Sequence, residues 1–360
     1  MAGSVFGTNF RVSTFGESHG AAIGAVVDGC PAGMKLSEQD IQKYLDRRRP
    51  GQSEFTTKRN EADRVEILSG VFEGKTTGTP IALLIRNTDQ HSKDYSNIKD
   101  KFRPGHADLG YFEKFGFRDY RGGGRSSGRE TGARVAAGAV ALKLLDEFGI
   151  EVHAYTKSIG PVTISSFDPE ECCKNPLYMP DKKAAEQAGD FLKDCIRDQD
   201  SAGGVVECIA TGLPAGLGDP VFDKLDARLS YAVMSIGAVK AVEIGDGTAV
   251  ALSRGSENND ELYMENGRVH KKTNHSGGIT GGISDGGDII LRAYFKPTPS
   301  ISRPQSSVDQ SGEDTVIEIK GRHDPVIVPR AVVVVECMSA LVIADALLAG
   351  QSARIDRLRI

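Results

Sequence analysis

A chain of 360 residues, 39% hydrophobic and 26% charged, can bury a substantial core beneath a polar surface, which excludes disordered and fibrous classes. Its formal charge of −5 argues against nucleic-acid binding, so local basic clusters point to small anionic ligands. Six cysteines, with the vicinal pair Cys172 and Cys173 but no CxxC or zinc spacing, suit reduced thiols, a cytoplasmic setting and no metal site. No signal peptide is read in the first ten residues, and no membrane span in 326–349, where Arg330, Glu336 and Asp345 interrupt the apolar run.

Apolar patterning in 10–14 and 21–28 predicts two strands of a hairpin whose tip is FGESHG. Residues 16–20 formally match GxSxG, but a nucleophile elbow must join a strand to a helix, and Gly24, Val26 and Val27 are poor helix residues. What remains is a polar trio, Glu17, Ser18 and His19, displayed on a tight turn. Ser37 with Asp40 resembles a capping box, and Ile41, Tyr44 and Leu45 repeat at helical spacing, so a helix runs to Arg47, Arg48 and Arg49 before Pro50. The polar stretches 51–64 and 87–105 read as loops bearing Arg and Lys, with paired strands over 65–71 and 80–86 between them.

The next segment carries the most chemistry. His106 lies in RPGHAD, between a proline turn and Asp108, and glycines 122–124 follow, flanked by Arg121 and Arg125. Consecutive glycines let successive N–H groups converge on one point, and a helix starting directly after them, predicted over 134–145, adds the positive end of its dipole. Ser126, Ser127 and Arg129 would then sit near its first turn, placed to hold phosphate oxygens. Such loops also serve as plain connections. Gly128 is followed by Arg129 and Glu130, so a P-loop is excluded, and the aromatic, charged stretch 115–121 is no Rossmann strand.

Beyond it, strands are predicted over 152–162, 204–209, 238–244, 289–295 and 316–319, and helices over 182–197, 222–233 and 330–349. The tract 274–287 is glycine-dense, 296–300 is the irregular string KPTPS, and 321–325 is a turn. With neither repeat nor clear linker, 1–360 reads as a single domain of mixed α/β class.

GESHG, DRRRPGQS, FRPGHAD, YRGGGRSSGRET, MSIGAVKAVEIG, GGITGGIS, KPTPS and GRHDP occur in an order and over a length that resemble the chorismate synthase family. The resemblance implies that family's fold, an α/β sandwich of helices between antiparallel β-sheets, and a homotetramer. It implies a lyase that converts 5-enolpyruvylshikimate 3-phosphate to chorismate and phosphate by 1,4-anti elimination, with no net redox change. It also implies reduced FMN, which supplies electron density transiently and recovers it. At this length the chain is more similar to members that receive reduced FMN from an external flavin reductase, with NADPH only as a source of reducing equivalents.

Carried over by matched position, His106 is expected near the flavin ring, His19 at the departing phosphate, and Asp324 assisting proton removal at C6 by way of the flavin N5. Ser18, Arg48, Arg103, Ser127, Arg129 and Arg322 match the family's substrate contacts. Arg125, Ser126, Ser127, Gly237, Ala238, Gly281, Lys296, Pro297, Thr298, Pro299, Ser300 and Arg322 match its FMN contacts. A substrate with two carboxylates and a phosphate makes such a convergence of guanidiniums physically reasonable. Two positions depart from the pattern: Glu54 stands where a second arginine is expected, with Lys58 or Arg59 as substitutes, and Gly237 where a side chain is common.

Overall fold

Alternating apolar residues build two antiparallel sheets, each with one face buried. The first runs in the order Val5–Phe6, Arg11–Gly16, Ala22–Asp28, Ile81–Arg86, Val65–Ile67. Ile23, Ala25 and Val27 on one strand, and Ile81, Leu83 and Ile85 on its neighbour, supply its buried face. The second is ordered Val239–Ile244, Ile289–Phe295, Gly204–Thr211, Glu151–Ile159, Val162–Thr163, with Val206, Cys208, Leu291 and Ala293 turned inward. The computed structural model describes residues 3–53, 55–56, 62–88, 99–319 and 324–358.

Helices fill the space between the sheets, as the family resemblance implies. The helix Glu38–Arg48 starts at the expected capping box, where the Asp40 carboxylate accepts from the backbone N–H of Ser37 at 2.9 Å and from its hydroxyl at 2.7 Å. It lies beside the helix Thr131–Asp146, which packs on the first sheet. The C-terminal helix Val328–Ala349 packs on the second sheet and on Thr131–Asp146, with Leu225–Met234 against its side. Buried apolar residues of both sheets and these helices form one continuous cluster.

The C-terminal helix is apolar all round because it has neighbours all round. Among the described residues it is the helix long and apolar enough to cross a membrane, yet 94% of its most apolar window is buried inside the protein. Its two buried acids are both partnered. Glu336 takes a bidentate pair from Arg47 at 2.7 and 2.9 Å and the N–H of Ala154 at 3.1 Å. Asp345 accepts the N–H groups of Thr8, Asn9 and Phe10 and is paired with Arg228.

Several boundaries differ from expectation for physical reasons. The strand expected over 65–71 breaks after Ile67, because Gly70 has a φ of +78° and Val71–Phe72 turns back on Lys75–Thr76. The helix Asp108–Phe115 was not foreseen, since its surroundings are polar and its one buried residue is the acid Asp108. The strand Gln305–Val308, partner of Asp314–Ile317, has no fully buried residue to signal it. All six cysteines are free.

The two central helices touch where Gly138 faces Cys337, since a Cβ at Gly138 would lie 2.3 Å from the Cβ of Cys337. Gly138→Ala gains about 1 kcal/mol of helix propensity but overpacks the crossing by about 1–3 kcal/mol. Urea unfolding should therefore show a lower midpoint with an unchanged slope, and an equal or higher midpoint would refute the tight crossing.

Candidate active site

The hairpin tip and the glycine loop dock on each other. Gly122 and Gly123 have φ of +70° and +91°, a conformation that L side chains rarely adopt. A Cβ at Gly122 would lie 2.5 Å from His19 Cε1 and 2.8 Å from its Nδ1. One at Gly123 would lie 2.9 Å from His106 Cε1 and 3.4 Å from its Nε2. The two imidazoles thus pack against adjacent residues of a single turn. Ser18 belongs to the same contact, its hydroxyl donating to the Arg121 carbonyl at 3.4 Å and lying 3.1 Å from His19 Nδ1.

The expected helix start is corrected. Gly124–Ser126 and Gly128–Glu130 form short 3-10 turns, so the helix does not follow the glycines directly, and the α-helix begins at Thr131, before the expected 134. Ser126 and Ser127 therefore lie before its first turn. The Ser126 hydroxyl donates to the Gly123 carbonyl at 2.8 Å, and the Ser127 hydroxyl accepts from the Arg129 N–H at 3.4 Å. The Arg129 side chain holds the chain out of helix, because its Nε donates to Asn87 at 3.0 Å and its guanidinium pairs with Asp63. Arg125 points back along the hairpin, donating to the Gly16 carbonyl at 3.3 Å and the Thr14 hydroxyl at 2.8 Å.

His106 sits in a charged cluster. Arg103 donates two parallel bonds to Asp108 at 2.7 and 2.8 Å, and Arg118 approaches the same carboxylate at 3.4 Å. His106 Nδ1 is 3.0 Å from Asp108 Oδ1 and 3.1 Å from an Arg103 nitrogen. Burial first, and then the Arg103 and Arg118 cations, hold its pKa below the ordinary value against the pull of Asp108. Asp108, buried yet bonded by Arg103 and His106, is held far below the usual carboxylate range.

A second carboxylate organises the other arginines. Arg48 is buried and donates to Asp63 at 2.9 Å, to the Gly128 carbonyl at 2.8 Å and to the Thr131 hydroxyl at 3.2 Å. Burial and the nearby Arg330 push its pKa down to about 10. Asp63 takes Arg48 on one oxygen and Arg129 on the other, and these two cations outweigh burial, lowering its pKa. Asn87 ties this group to the hairpin tip by donating to the carbonyls of Glu17 and Gly20 at 3.0 and 2.8 Å.

KPTPS closes the circuit. Lys296 donates to the Gly105 carbonyl, beside His106, and its own N–H donates to the Ala238 carbonyl at 3.0 Å. Thr298 donates to the Asp324 carbonyl at 2.9 Å, and a Cβ at Gly105 would lie 3.2 Å from Pro299. Asp324 pairs with Arg330 at 2.6 Å, and Arg330 Nε donates to the Arg48 carbonyl at 3.0 Å. Contacts thus pass from His19 through the glycine turn to His106, KPTPS, Asp324, Arg330, Arg48, Asp63, Arg129 and Asn87, and back to the hairpin tip. Gly237 precedes Ala238 at this rim, and a Cβ on it would meet nothing within 4 Å. Ser300 ends the same KPTPS string.

Gly281 stands apart from this circuit. Its neighbour Gly282 accepts from Leu225 at the start of the helix Leu225–Met234, whereas Gly237 and Ala238 follow the end of that helix. Ten residues of helix separate the two ends by about 15 Å. Arg322, Glu54, Lys58 and Arg59 lie outside the described residues. Asp63, Asn87 and Arg330 were missed as site residues: no motif marks the first two, and Arg330 reads only as a charge inside an apolar run.

The donor set suits a phosphorylated, ring-bearing cofactor. The two imidazoles pack against adjacent glycines, with Arg125, Ser126 and Ser127 following them in the chain and Lys296 bonded to the Gly105 carbonyl beside His106. In a reduced flavin mononucleotide complex, Arg125, Ser126, Ser127 and the KPTPS string would be the holding groups.

Known proteins similar to this chain share one family name. The family profile described as chorismate synthase matches residues 10–348. A chorismate synthase of Agathobacter rectalis is 61% identical over 360 residues, covering 99% of this chain and 98% of the relative. One from Methanocella arvoryzae is 60% identical, covering 97% and 95%. A crystal structure of a chorismate synthase superposes with a TM-score of 0.79 at 34% identity, covering 96% of this chain and 94% of the other.

Asp63→Asn would leave two buried guanidiniums without their carboxylate, at a cost of about 3–5 kcal/mol. Because the folded pKa of Asp63 is lowered, its contribution is full above the ordinary value near 3.9 and is lost as pH falls through the folded value. Urea titrations from pH 7 to pH 3 should show the gap between wild type and variant constant near neutrality and closing in acid.

Proposed function

This chain belongs to the chorismate synthase family, a family of lyases, and we propose that it converts 5-enolpyruvylshikimate 3-phosphate to chorismate and phosphate with reduced FMN as cofactor. The observation that carries the reading is the convergence of His19 and His106 on one glycine turn, with Asp324 joined to the same rim through KPTPS. Reduced FMN would supply transient electron density to a carbon framework whose leaving group is poor and whose C6 hydrogen is weakly acidic.

The residues divide the remaining work. His19, backed by Ser18, would meet the allylic phosphate as it departs and give it a hydrogen bond or a proton. His106, packed on the next glycine of the turn, would lie against the flavin ring. Asp324, oriented by its pair with Arg330, would be the terminal acceptor of the C6 proton. Arg48, Arg103 and Arg129 would set the positive potential that draws in a substrate with three anionic groups. Each already has a carboxylate partner, so substrate would meet cations fixed in place rather than flexible side chains.

The same reading takes 1–360 as one catalytic domain, acting in the cytoplasm as a homotetramer and receiving reduced FMN from a separate reductase. A second reading has one specific observation behind it, the 3.1 Å approach of Ser18 Oγ to His19 Nδ1, which resembles a nucleophile and its base. The tip lies between two antiparallel strands rather than at a strand-to-helix elbow, which argues against a hydrolase.

Under anaerobic conditions, enzyme with dithionite-reduced FMN should turn substrate into chorismate and phosphate, and none should form in air without a reductant. Failure with reduced flavin present would sink the lyase reading, and labelling of Ser18 by a fluorophosphonate would favour the hydrolase. His106→Ala and Asp324→Ala should each lower kcat by about 10²–10⁴ with KM little changed.

A further inference from the structure

We propose that Asp108 is a positioning residue that holds His106 in a single tautomer, protonated at Nδ1, and so leaves Nε2 as the ring atom that exchanges a proton beside the glycine turn. The inference starts from a conflict at one atom. His106 Nδ1 is 3.0 Å from Asp108 Oδ1, which can only accept, and 3.1 Å from an Arg103 nitrogen, which can only donate. One ring nitrogen cannot satisfy both.

The arginine has somewhere else to bond and the carboxylate constrains the nitrogen. Arg103 already places its fork on Asp108, Nε on one oxygen at 2.7 Å and the terminal nitrogen on the other at 2.8 Å. An unprotonated Nδ1 could accept from Arg103 at 3.1 Å, but it would also set its lone pair against the Oδ1 lone pairs at 3.0 Å in a buried site. A proton on Nδ1 turns that contact into a charge-assisted hydrogen bond. The carboxylate itself cannot take over the proton, since its pKa is held far below the usual range.

The rest of the environment fits a neutral ring with its proton on Nδ1. Among the described residues, the charged groups that act on His106 are Arg103, Asp108 and Arg118 from its own stretch, and from the glycine loop Gly123 packs against the ring. Lys296, from KPTPS, bonds the carbonyl of Gly105 rather than the ring. Burial keeps the imidazole neutral and the two guanidiniums dilute the field of Asp108, so the carboxylate fixes the tautomer without fully charging the ring. Nε2 lies on the ring edge, with Cε1, that packs against Gly123 in place of the missing Cβ.

The functional meaning of this inference rests on the lyase reading, but its structural test does not. The full chain, labelled with 15N in its histidine rings and free of ligand, should show His106 protonated at Nδ1 in long-range 1H–15N NMR, with the resonances assigned by their loss in His106→Gln. Asp108→Asn, whose amide can donate to the ring, should move the proton to Nε2, and Asp108→Glu should keep it on Nδ1. Wild type protonated at Nε2 overturns the proposal whether or not the Asn variant folds. So does an unchanged tautomer in a folded Asp108→Asn. In turnover, Asp108→Asn should lose about 10²–10⁴ in kcat with KM little moved, as expected when a proton-transfer imidazole is held in the wrong tautomer. If wild type forms no chorismate at all while the NMR result holds, the lyase reading fails and the tautomer assignment stands.

Discussion

Two imidazoles pack against adjacent residues of one backbone turn, and only residues without side chains permit it. At Gly122 a single added carbon would collide with His19, and at Gly123 with His106. Both also hold backbone conformations that L residues rarely adopt. The hairpin tip, the 3-10 turns and the FRPGHAD loop all take their positions from this contact. It also separates the helix from the glycines. The chain must first leave the turn through Ser126, Ser127 and the inward-reaching Arg129 before helical geometry becomes available at Thr131.

Buried carboxylates are the second device. Asp63 separates and orients Arg48 and Arg129, and Asp108 does the same for Arg103, Arg118 and His106. Buried ion pairs add little to net stability, because desolvation cancels most of the attraction, but an unpaired member would be far worse. Their use here is geometric. Closely spaced cations would repel one another, and an internal acid keeps them assembled. The same logic recurs away from the site. Glu336 and Asp345 on the C-terminal helix fasten Arg47 and the N–H groups of Thr8, Asn9 and Phe10, so the frame behind the loops is fixed from the core outward.

The sandwich provides that frame through close helix contact. Gly138 lets Thr131–Asp146 approach Val328–Ala349 until backbone nearly meets side chain at Cys337, and each helix then covers its own sheet. Arg330, near the start of the C-terminal helix, reaches both Asp324 and the carbonyl of Arg48. Through it the core helix touches the rim of the site directly, so packing in the interior and geometry at the rim are parts of one arrangement.

Much of this was legible without coordinates. The apolar run at 21–28, the strand expected at 289–295 and the amphipathic pattern at 182–197 appear as the strands Ala22–Asp28 and Ile289–Phe295 and the helix Lys182–Arg197, because each has an apolar face to bury. The ordered motif strings pointed to the family and to His19, His106 and Asp324, since glycine turns and titratable groups carry their chemistry in their identity. Asp63, Asn87 and Arg330 were invisible as site residues, as was the role of Asp108. An aspartate in a polar loop looks the same whether it faces water or bridges two guanidiniums, and the difference is made by partners distant along the chain. Sequence determined by itself which residue types were available and where the chain could turn. Tertiary structure alone decided which carboxylate met which cation, because burial and three-dimensional proximity, unlike periodicity, leave no local trace.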